Sequence, residues 1–281
     1  MAKGLEERVL GLLRGGKLVR KGDRVLVSVS GGKDSAVAAW VLAKRAGELG
    51  IDVGLLHIDL GIPGYSEESR AAVEALRERL DAPLHVHEIE KEWGLALPEI
   101  ARKLKKAPCH VCGTLKRYYQ NVLAKELGYN VLATGHNLDD SVGFIVNNFI
   151  TGQVKQTHKI SPLLPETELT SRKIKPLFWI QGRETEGYAT EKGIPFTRCS
   201  CPFQKQSPTH VIREAFDRVE ELRPGAKKSF VKNVLRALPG KGETTSPSAC
   251  ELCGAPTSGK VCTVCRMKKR LWAGGFQLGQ Q

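Results

Sequence analysis

The sequence predicts an α/β protein built on a doubly wound, mostly parallel sheet, with a short cysteine-rich tail behind it. Over residues 23–205, short β-branched runs alternate with segments of helical periodicity, the pattern of parallel strands joined by crossover helices. The first run, residues 25–29, turns through two adjacent glycines into the start of a helix. A stretch rich in Gly, Ser, Thr and Pro at 239–249 then forms a linker to the tail.

Further strands and helices follow in chain order. Residues 4–14 have the spacing of a short amphipathic helix. Residues 52–62 predict a second strand with His57 and Asp59 near its carboxyl end, where open α/β sheets bind ligands. A polar stretch at 151–173 is expected at the surface. Later strands are expected at 84–89, in the runs YNVLAT and KPLFWI, and helices at 66–80, from Cys109, after the turn GHNLDD, at 183–192 and at 208–237.

The turn after the first strand, called here the phosphate loop, has the residues of an anion cradle. Backbone N–H groups at the positive end of a helix dipole bind anions, most often phosphate. The spacing differs from the Walker pattern, which has four residues between its first glycine and Gly-Lys-Ser/Thr. SGGKDS resembles instead the PP-loop of ATP pyrophosphatases, which split ATP between its α and β phosphates, and Asp34 would help to place Mg²⁺ there. The loop consists of Ser30, Gly31, Gly32, Lys33, Asp34 and Ser35.

Composition narrows the class of partner and the compartment. The 281 residues carry a formal net charge of +13, which favours a polyanionic partner. No run approaches the roughly 18 apolar residues of a membrane span, so we expect no membrane role and a cytoplasmic location. Eight cysteines in a reducing compartment favour metal binding or catalysis over disulfides.

The cysteines of the tail have the spacing of a structural zinc site. Two CxxC pairs separated by a short loop can close a tetrahedral thiolate shell around Zn²⁺, and Gly254 and Gly259 fit the turn positions. A segment this short has little core of its own, so the metal would supply its folding energy. The predicted ligands are Cys250, Cys253, Cys262 and Cys265.

The other cysteines allow three interpretations. Cys109 and Cys112 form a third CxxC pair at the start of a helix, and Cys199 and Cys201 follow much later. They could form a second zinc site, or Cys109 and Cys112 could be a redox pair, although the βαβ context of such pairs is missing. They could also hold an iron–sulfur cluster on three cysteines, which leaves one iron free for an external ligand such as sulfide. Spacing alone does not separate these interpretations.

Six motifs, in this order, resemble the TtcA/TtuA family of tRNA thiolases, and most closely its TtuA-type 2-thiouridine synthetases. They are SGGKDS, HIDLGI, CHVCGTLKRYY, ATGHNLDDS, a late Cys-Pro pair and the CxxC–CxxC tail, over residues 17–270. The resemblance implies an ATP-dependent tRNA sulfurtransferase that adenylates the C2 oxygen of a pyrimidine, expected to be uridine. Sulfur delivered through a 4Fe-4S cluster then replaces that oxygen. The alternatives are a cytidine 2-thiolase, another PP-loop ligase or amidotransferase with a zinc-only cysteine site, and a nucleic-acid binder without catalysis.

The resemblance also implies site residues. The cluster would lie on Cys109, Cys112 and Cys201, since Cys201 precedes Pro202, and Cys199 stays unassigned. Lys116 and Asp140 would be catalytic, whereas by themselves these residues favour a surface lysine and a helix cap. The residues implied for ATP are the phosphate loop with Ser28, Ile58 and Gly135.

Two features depart from the resemblance. TtuA-type enzymes carry a second zinc finger at the N-terminus, whereas this chain begins almost directly with the catalytic domain, and Ser141 stands where the family often has Glu. The implied partners are tRNA and a sulfur donor, either sulfide or a thiocarboxylated ubiquitin-like carrier protein, and a homodimer stays open. The expected divisions are a lead-in at 1–22, the catalytic domain at 23–205, a helical extension at 206–238, the linker at 239–249, the zinc ribbon at 250–270 and a tail at 271–281.

Overall fold

The computed structural model describes residues 4–204, 208–238 and 247–272. Most of the predicted linker, 239–246, therefore lies outside the described residues. The helices are α1 (Leu5–Gly15), α2 (Lys33–Lys44), α3 (Ala46–Leu49), α4 (Tyr65–Leu80), α5 (Ile89–Trp93), α6 (Leu97–Leu104), α7 (Pro108–Glu126), α8 (Leu138–Ile150), α9 (Gly182–Glu191), α10 (Pro208–Leu222), α11 (Ala226–Ala237) and α12 (Thr263–Trp272), with a 3₁₀ helix at Val154–Lys159. The strands are β1 (Arg24–Ser28), β2 (Asp52–Asp59), β3 (Leu84–Glu88), β4 (Val131–Thr134), β5 (Leu163–Leu164), β6 (Arg172–Ile174), β7 (Ser248–Ala249) and β8 (Pro256–Thr257).

The main sheet confirms the predicted fold class. Its six strands lie in the order β3-β2-β1-β4-β6-β5, and all are parallel except β5, which pairs antiparallel with β6. The chain adds β2 and β3 on one side of β1 and then crosses to β4 on the other side. Such a switch point opens a crevice at the carboxyl ends of the strands, here of β1 and β4, and ligands bind in crevices of this kind.

Helices cover both faces of the sheet because the central strands are apolar on both. In β1, Val25 and Val27 belong to the core formed with α1, α2, α4 and α9, whereas Leu26 belongs to the opposite core with α5, α6 and α7. A third apolar cluster around Phe178 packs α8 against α10 and α11. Within the described ranges, none of the helices combines the length and the apolar composition needed to cross a membrane.

The last parallel strand lies earlier than predicted. It is β6 rather than the run 175–180, whose Leu177 and Phe178 are buried outside any strand. The expectation of a surface stretch at 151–173 is wrong in part, because Thr157 and Ile160 are buried within it and Arg172, near its end, is 2% exposed. Its guanidinium forms an ion pair with the equally buried Asp23. A buried charged residue needs a partner, and the partner of Arg172 is distant in sequence. The polar character of the stretch therefore gave no sign that it contains a strand of the core sheet.

The tail folds as a small unit against the main domain. The β7–β8 hairpin and α12 form this unit, called here the ribbon, and α12 packs on α6 and α7. The Trp93 and Trp272 rings are 5.3 Å apart, and Lys268 lies 2.5 Å from Glu92. The ribbon is thereby fixed beside α7, the helix that begins at the Cys109 pair. The divisions of the chain into domains stay predictions.

Candidate active site

The phosphate loop leads from β1 into α2 in a conformation that only glycine accepts at its second residue. Gly31 has a φ of +83°, and a Cβ there would lie 2.8 Å from Cα of Ser69. Gly32 is the N-cap of α2, and no side chain caps that helix end. The N–H groups of the first turn of α2 are therefore available to an anion.

The cation and carboxylate of the loop contact each other and the first turn of α9. Lys33 Nζ lies 3.1 Å from Asp34 Oδ1 and 2.9 Å from the carbonyl oxygen of Gly182. Thr185 donates a hydrogen bond to the carboxylate of Asp34. Both charged side chains of the loop are about one-quarter to one-third exposed, 26% and 30%. They are held in place yet accessible, as a group that binds phosphate or Mg²⁺ requires.

The other residues expected to hold ATP gather at the same edge of the sheet. Gly135 follows β4, and a Cβ there would lie 2.6 Å from the backbone nitrogen of Ser35, so the two loops touch backbone to backbone. Ser28 ends β1 and accepts a hydrogen bond from Gln120 Nε2 of α7 at 2.8 Å. Ile58 lies buried near the end of β2. The structure thus brings together the carboxyl ends of β1, β2 and β4.

Asp140 has a structural partner on each carboxylate oxygen. Its Oδ2 accepts from the backbone N–H of Asn137 at 2.9 Å, in a capping box at the start of α8, and its Oδ1 pairs with Arg213. The residues by themselves favoured a helix cap here, and the structure shows one. The catalytic assignment of Asp140 stays a prediction.

The neighbouring Asp139 connects the start of α9 with α11. The sequence did not predict this role. Its Oδ2 accepts the N–H of Gly182 at 2.7 Å, and its Oδ1 accepts from Lys227 Nζ at 2.6 Å. The two adjacent Asp residues in the run GHNLDD could have indicated that one of them binds a distant partner. Lys227, in an amphipathic basic helix, gave no such indication.

Cys109, Cys112 and Cys201, called here the cysteine triad, come together from distant parts of the chain. Cys109 Sγ lies 3.4 Å from the carbonyl oxygen of Phe203, which places residues 201–203 against the start of α7. Burial raises the pKa of Cys109, and negative charge on Cys112 and Cys201 raises it further. The N–H of Thr197 donates to the oxygen of Gly31 at 2.8 Å, so the segment that carries Cys201 is tied to the phosphate loop.

Lys116 lies with this triad rather than on the open surface. It is half-buried one helical turn after Cys112. The charge of Cys112 raises the pKa of Lys116 more than burial lowers it, and the charges of Tyr65 and Cys201 act in the same direction. The interpretation of Lys116 as an ordinary surface lysine therefore does not fit its surroundings.

The sulfur atoms of the cysteine triad are not spaced like the ligands of a single metal ion. Among the described residues, the Sγ atoms of Cys109, Cys112 and Cys201 do not all lie within 4.8 Å of one another. Thiolates around one zinc, bound at about 2.3 Å, are separated by roughly 3.8 Å. The assignment of Cys109, Cys112 and Cys201 to an iron–sulfur cluster stays a prediction.

The four tail cysteines do have single-ion spacing. The Sγ atoms of Cys250, Cys253, Cys262 and Cys265 all lie within 4.8 Å of one another. The N–H of Cys262 donates to Cys250 Sγ at 3.2 Å. This hydrogen bond makes the largest contribution to lowering the pKa of Cys250 to about 6. Gly254, directly after Cys253, has a φ of +70° in the first turn. This donor set fits one tetrahedral metal ion.

Known proteins are similar to this chain in sequence and in fold. A family model described as ATP_bind_3, the PP-loop domain, matches residues 2–216. The chain is similar to the tRNA-5-methyluridine(54) 2-sulfurtransferase of Pyrococcus horikoshii, at 37% identity over 89% of this chain and 80% of that protein. It is also similar to the protein of that name from Thermus thermophilus, at 36% identity over 91% and 79%.

A solved structure covers nearly the whole chain. It is the U34-tRNA thiolase NcsA from Methanococcus maripaludis with its 4Fe-4S cluster. The TM-score is 0.83 at 26% identity, over 99% of this chain and 89% of that one. The match therefore includes the ribbon as well as the sheet.

Proposed function

Because the chain belongs to the PP-loop family, among its tRNA 2-sulfurtransferases, we propose that it is an ATP-dependent tRNA 2-thiolase acting on uridine. One contact carries the proposal: the hydrogen bond from Thr197 to Gly31 joins the segment of Cys201 to the phosphate loop. This contact supports an adenylation site and a thiolate cluster site that lie side by side, as a reaction that needs both ATP and sulfur requires.

The first step is adenylation. The C2 oxygen of the uracil attacks the α phosphorus of ATP, the bond from that phosphorus to pyrophosphate breaks, and pyrophosphate leaves. The N–H groups at the start of α2 and the ammonium of Lys33 stabilise the charge that develops on the leaving group. Asp34 would hold Mg²⁺, because it supplies the carboxylate oxygens that Mg²⁺ takes as ligands and lies in the loop beside Lys33.

The second step replaces oxygen by sulfur. Hydrosulfide attacks C2, the bond from C2 to the adenylated oxygen breaks, and AMP leaves with that oxygen. Lys116, beside the cysteine triad, neutralises negative charge on the hydrosulfide and on the departing phosphate. Asp140 would act on the nucleotide or on a proton, and its cap of α8 and its pair with Arg213 hold its carboxylate in place for that role.

Two metal centres belong to this proposal. The cysteine triad would hold a 4Fe-4S cluster, which when bound supplies an iron site for sulfide. The four tail cysteines would hold Zn²⁺ as a structural ion that fixes the ribbon. A cytoplasmic location, a homodimer and the choice between free sulfide and a carrier protein as donor are also parts of the proposal.

Anaerobic purification tests the proposal, followed by iron, sulfide and zinc analysis and by incubation with tRNA, ATP and sulfide. We expect iron as well as zinc, pyrophosphate release that depends on tRNA, and a 2-thiouridine derivative in the digested tRNA by mass spectrometry. Thiocytidine in its place would identify a cytidine 2-thiolase. Zinc without iron, together with the absence of any thionucleoside, would identify another adenylating ligase.

A further inference from the structure

A cavity of about 600 Å³ lies between α7, the β5–β6 edge of the sheet and the ribbon. We call it the ribbon cavity. It is separate from the phosphate loop, because its walls come from the outward side of α7, from residues 159–173 and from residues 247–264. Its volume is in the range of cavities that bind small ligands. The ribbon contributes a wall, so the cavity is complete only while the ribbon is docked.

The charges of the ribbon cavity are all of one sign. Arg117, Lys159 and Lys173 line it, and no Asp or Glu lies among its lining residues. Within the described part of the chain, these three cations have no carboxylate within 4.0 Å. Thr114 and Thr257 also line the cavity. Cations that converge without a counter-ion form a site for an anion.

The protein tolerates these cations at a cost. Burial lowers the pKa of Lys173 to about 8, and the charges of Arg117 and Lys159 lower it further. Arg117 and Lys159 face Lys173 across the cavity without an opposite charge, and an anion bound there would relieve their repulsion.

We propose that the ribbon cavity binds phosphodiester groups of the substrate RNA. The inference rests on the proposed function and names the surface by which the tRNA is held. ATP already has its own cradle at the start of α2. Arg117 follows Lys116 on α7, so the cavity and the reaction centre lie on neighbouring faces of one helix. An RNA strand anchored in the cavity therefore passes the crevice into which its uracil must turn.

The test is tRNA binding by Lys173→Gln, Lys159→Gln and the double variant, measured by filter binding over a range of salt concentrations. We expect each single change to weaken binding roughly threefold and to lower the slope of log affinity against log salt by about 0.7–0.9. Lys173→Arg keeps the charge and should retain the affinity. The thermal midpoint should stay level or rise, because each variant removes a cation repelled by its neighbours.

Lys44→Gln is the matched control, since Lys44 is an exposed lysine at the far end of α2 from the phosphate loop. The proposal is overturned if the double variant and this control bind tRNA with the same affinity and the same dependence on salt. The proposal is also overturned if the double variant binds tRNA normally but loses affinity for inorganic phosphate. That result would indicate a site for free anions. Wild-type protein that binds tRNA through these lysines yet forms no thionucleoside would remove the proposed function and leave the ribbon cavity as an RNA site.

Discussion

Lys227 illustrates how one buried charge can position a distant reactive group. The residue is 1% exposed, and its ammonium contacts Asp139 from α8 and Asp217 from α10. Asp139 in turn accepts the N–H of Gly182, whose carbonyl accepts from Lys33 at 2.9 Å. A chain of polar contacts thus runs from α11 to the phosphate loop. Lys227 is a positioning residue, because it reaches the loop only through others.

Removing this ammonium should destabilise the protein. Lys227→Met leaves the half-buried carboxylate of Asp139 without its cation, and breaking a buried ion pair from one side costs about 3–5 kcal/mol. Urea unfolding should show that loss of free energy of unfolding, with Lys228→Met, an exposed neighbour on α11, close to wild type. Equal stability of the two variants would show that the chain of contacts carries no energy.

Lys116 should matter for chemistry and not for assembly of the site. We expect Lys116→Ala to lower the rate of tRNA thiolation by about 10²–10³-fold, the cost of losing one preorganised charge in an active site. Iron content and ATP affinity should stay at wild-type values, because neither the cysteine triad nor the phosphate loop includes this residue. Single-turnover thiolation measures the effect, and Lys125→Ala at the exposed end of α7 is the control. A rate within threefold of that control would remove Lys116 from the mechanism.

At the scale of elements, the ribbon depends on its metal and the main domain does not. Cys253→Ser should release zinc and loosen the ribbon, because the β7–β8 hairpin has only two-residue strands and little core. ATP binding should persist, since the phosphate loop lies in the main sheet. Zinc analysis and limited proteolysis between residues 247 and 272 report the two effects. Full zinc content in this variant would contradict the assignment of the four cysteines.

The β6 edge should show a pH dependence that originates at Lys173. Its pKa is about 8 in the folded protein and about 10.5 when unfolded, so between these values the unfolded chain binds the extra proton and stability rises with pH. Arg117 from α7, Lys159 from the 3₁₀ helix and Lys175 after β6 are the charged groups around it. All are cations, and none supplies the opposite effect.

The comparison of wild type with Lys173→Met measures this contribution together with the effect of Lys173 on the pKa of Lys175. Between pH 8 and 10 the free energy of unfolding of wild type should rise by about 1–3 kcal/mol relative to the variant. Urea titrations at several pH values measure the difference. A difference that stays constant with pH would mean that Lys173 carries an ordinary pKa.

For the whole molecule, the features predictable from sequence were those encoded in short stretches. The phosphate loop and the four tail cysteines each occupy fewer than twenty residues, and the alternation of strands and helices predicted the parallel sheet. Arg172 was expected at the surface because its partner Asp23, just before β1, lies far away in the sequence.

The approach of Cys201 to α7 was equally invisible in the residues. Residues 194–200 form neither helix nor strand, so no periodicity predicts which way Cys199 and Cys201 face. The resemblance to tRNA thiolases supplied that assignment. Pairings between distant elements need the structure or a relative, because propensity and spacing are local properties.

The most direct test of the account compares Cys201→Ala with Cys199→Ala after anaerobic purification. Iron content and the yield of 2-thiouridine derivative are measured together, with ATP binding as the check on folding. We predict that Cys201→Ala loses both the iron and the thionucleoside, and that Cys199→Ala keeps most of each, while both variants bind ATP. Loss of iron in Cys199→Ala alone, or full iron and thiolation in both variants, would contradict the cysteine triad as the sulfur-handling part of the site.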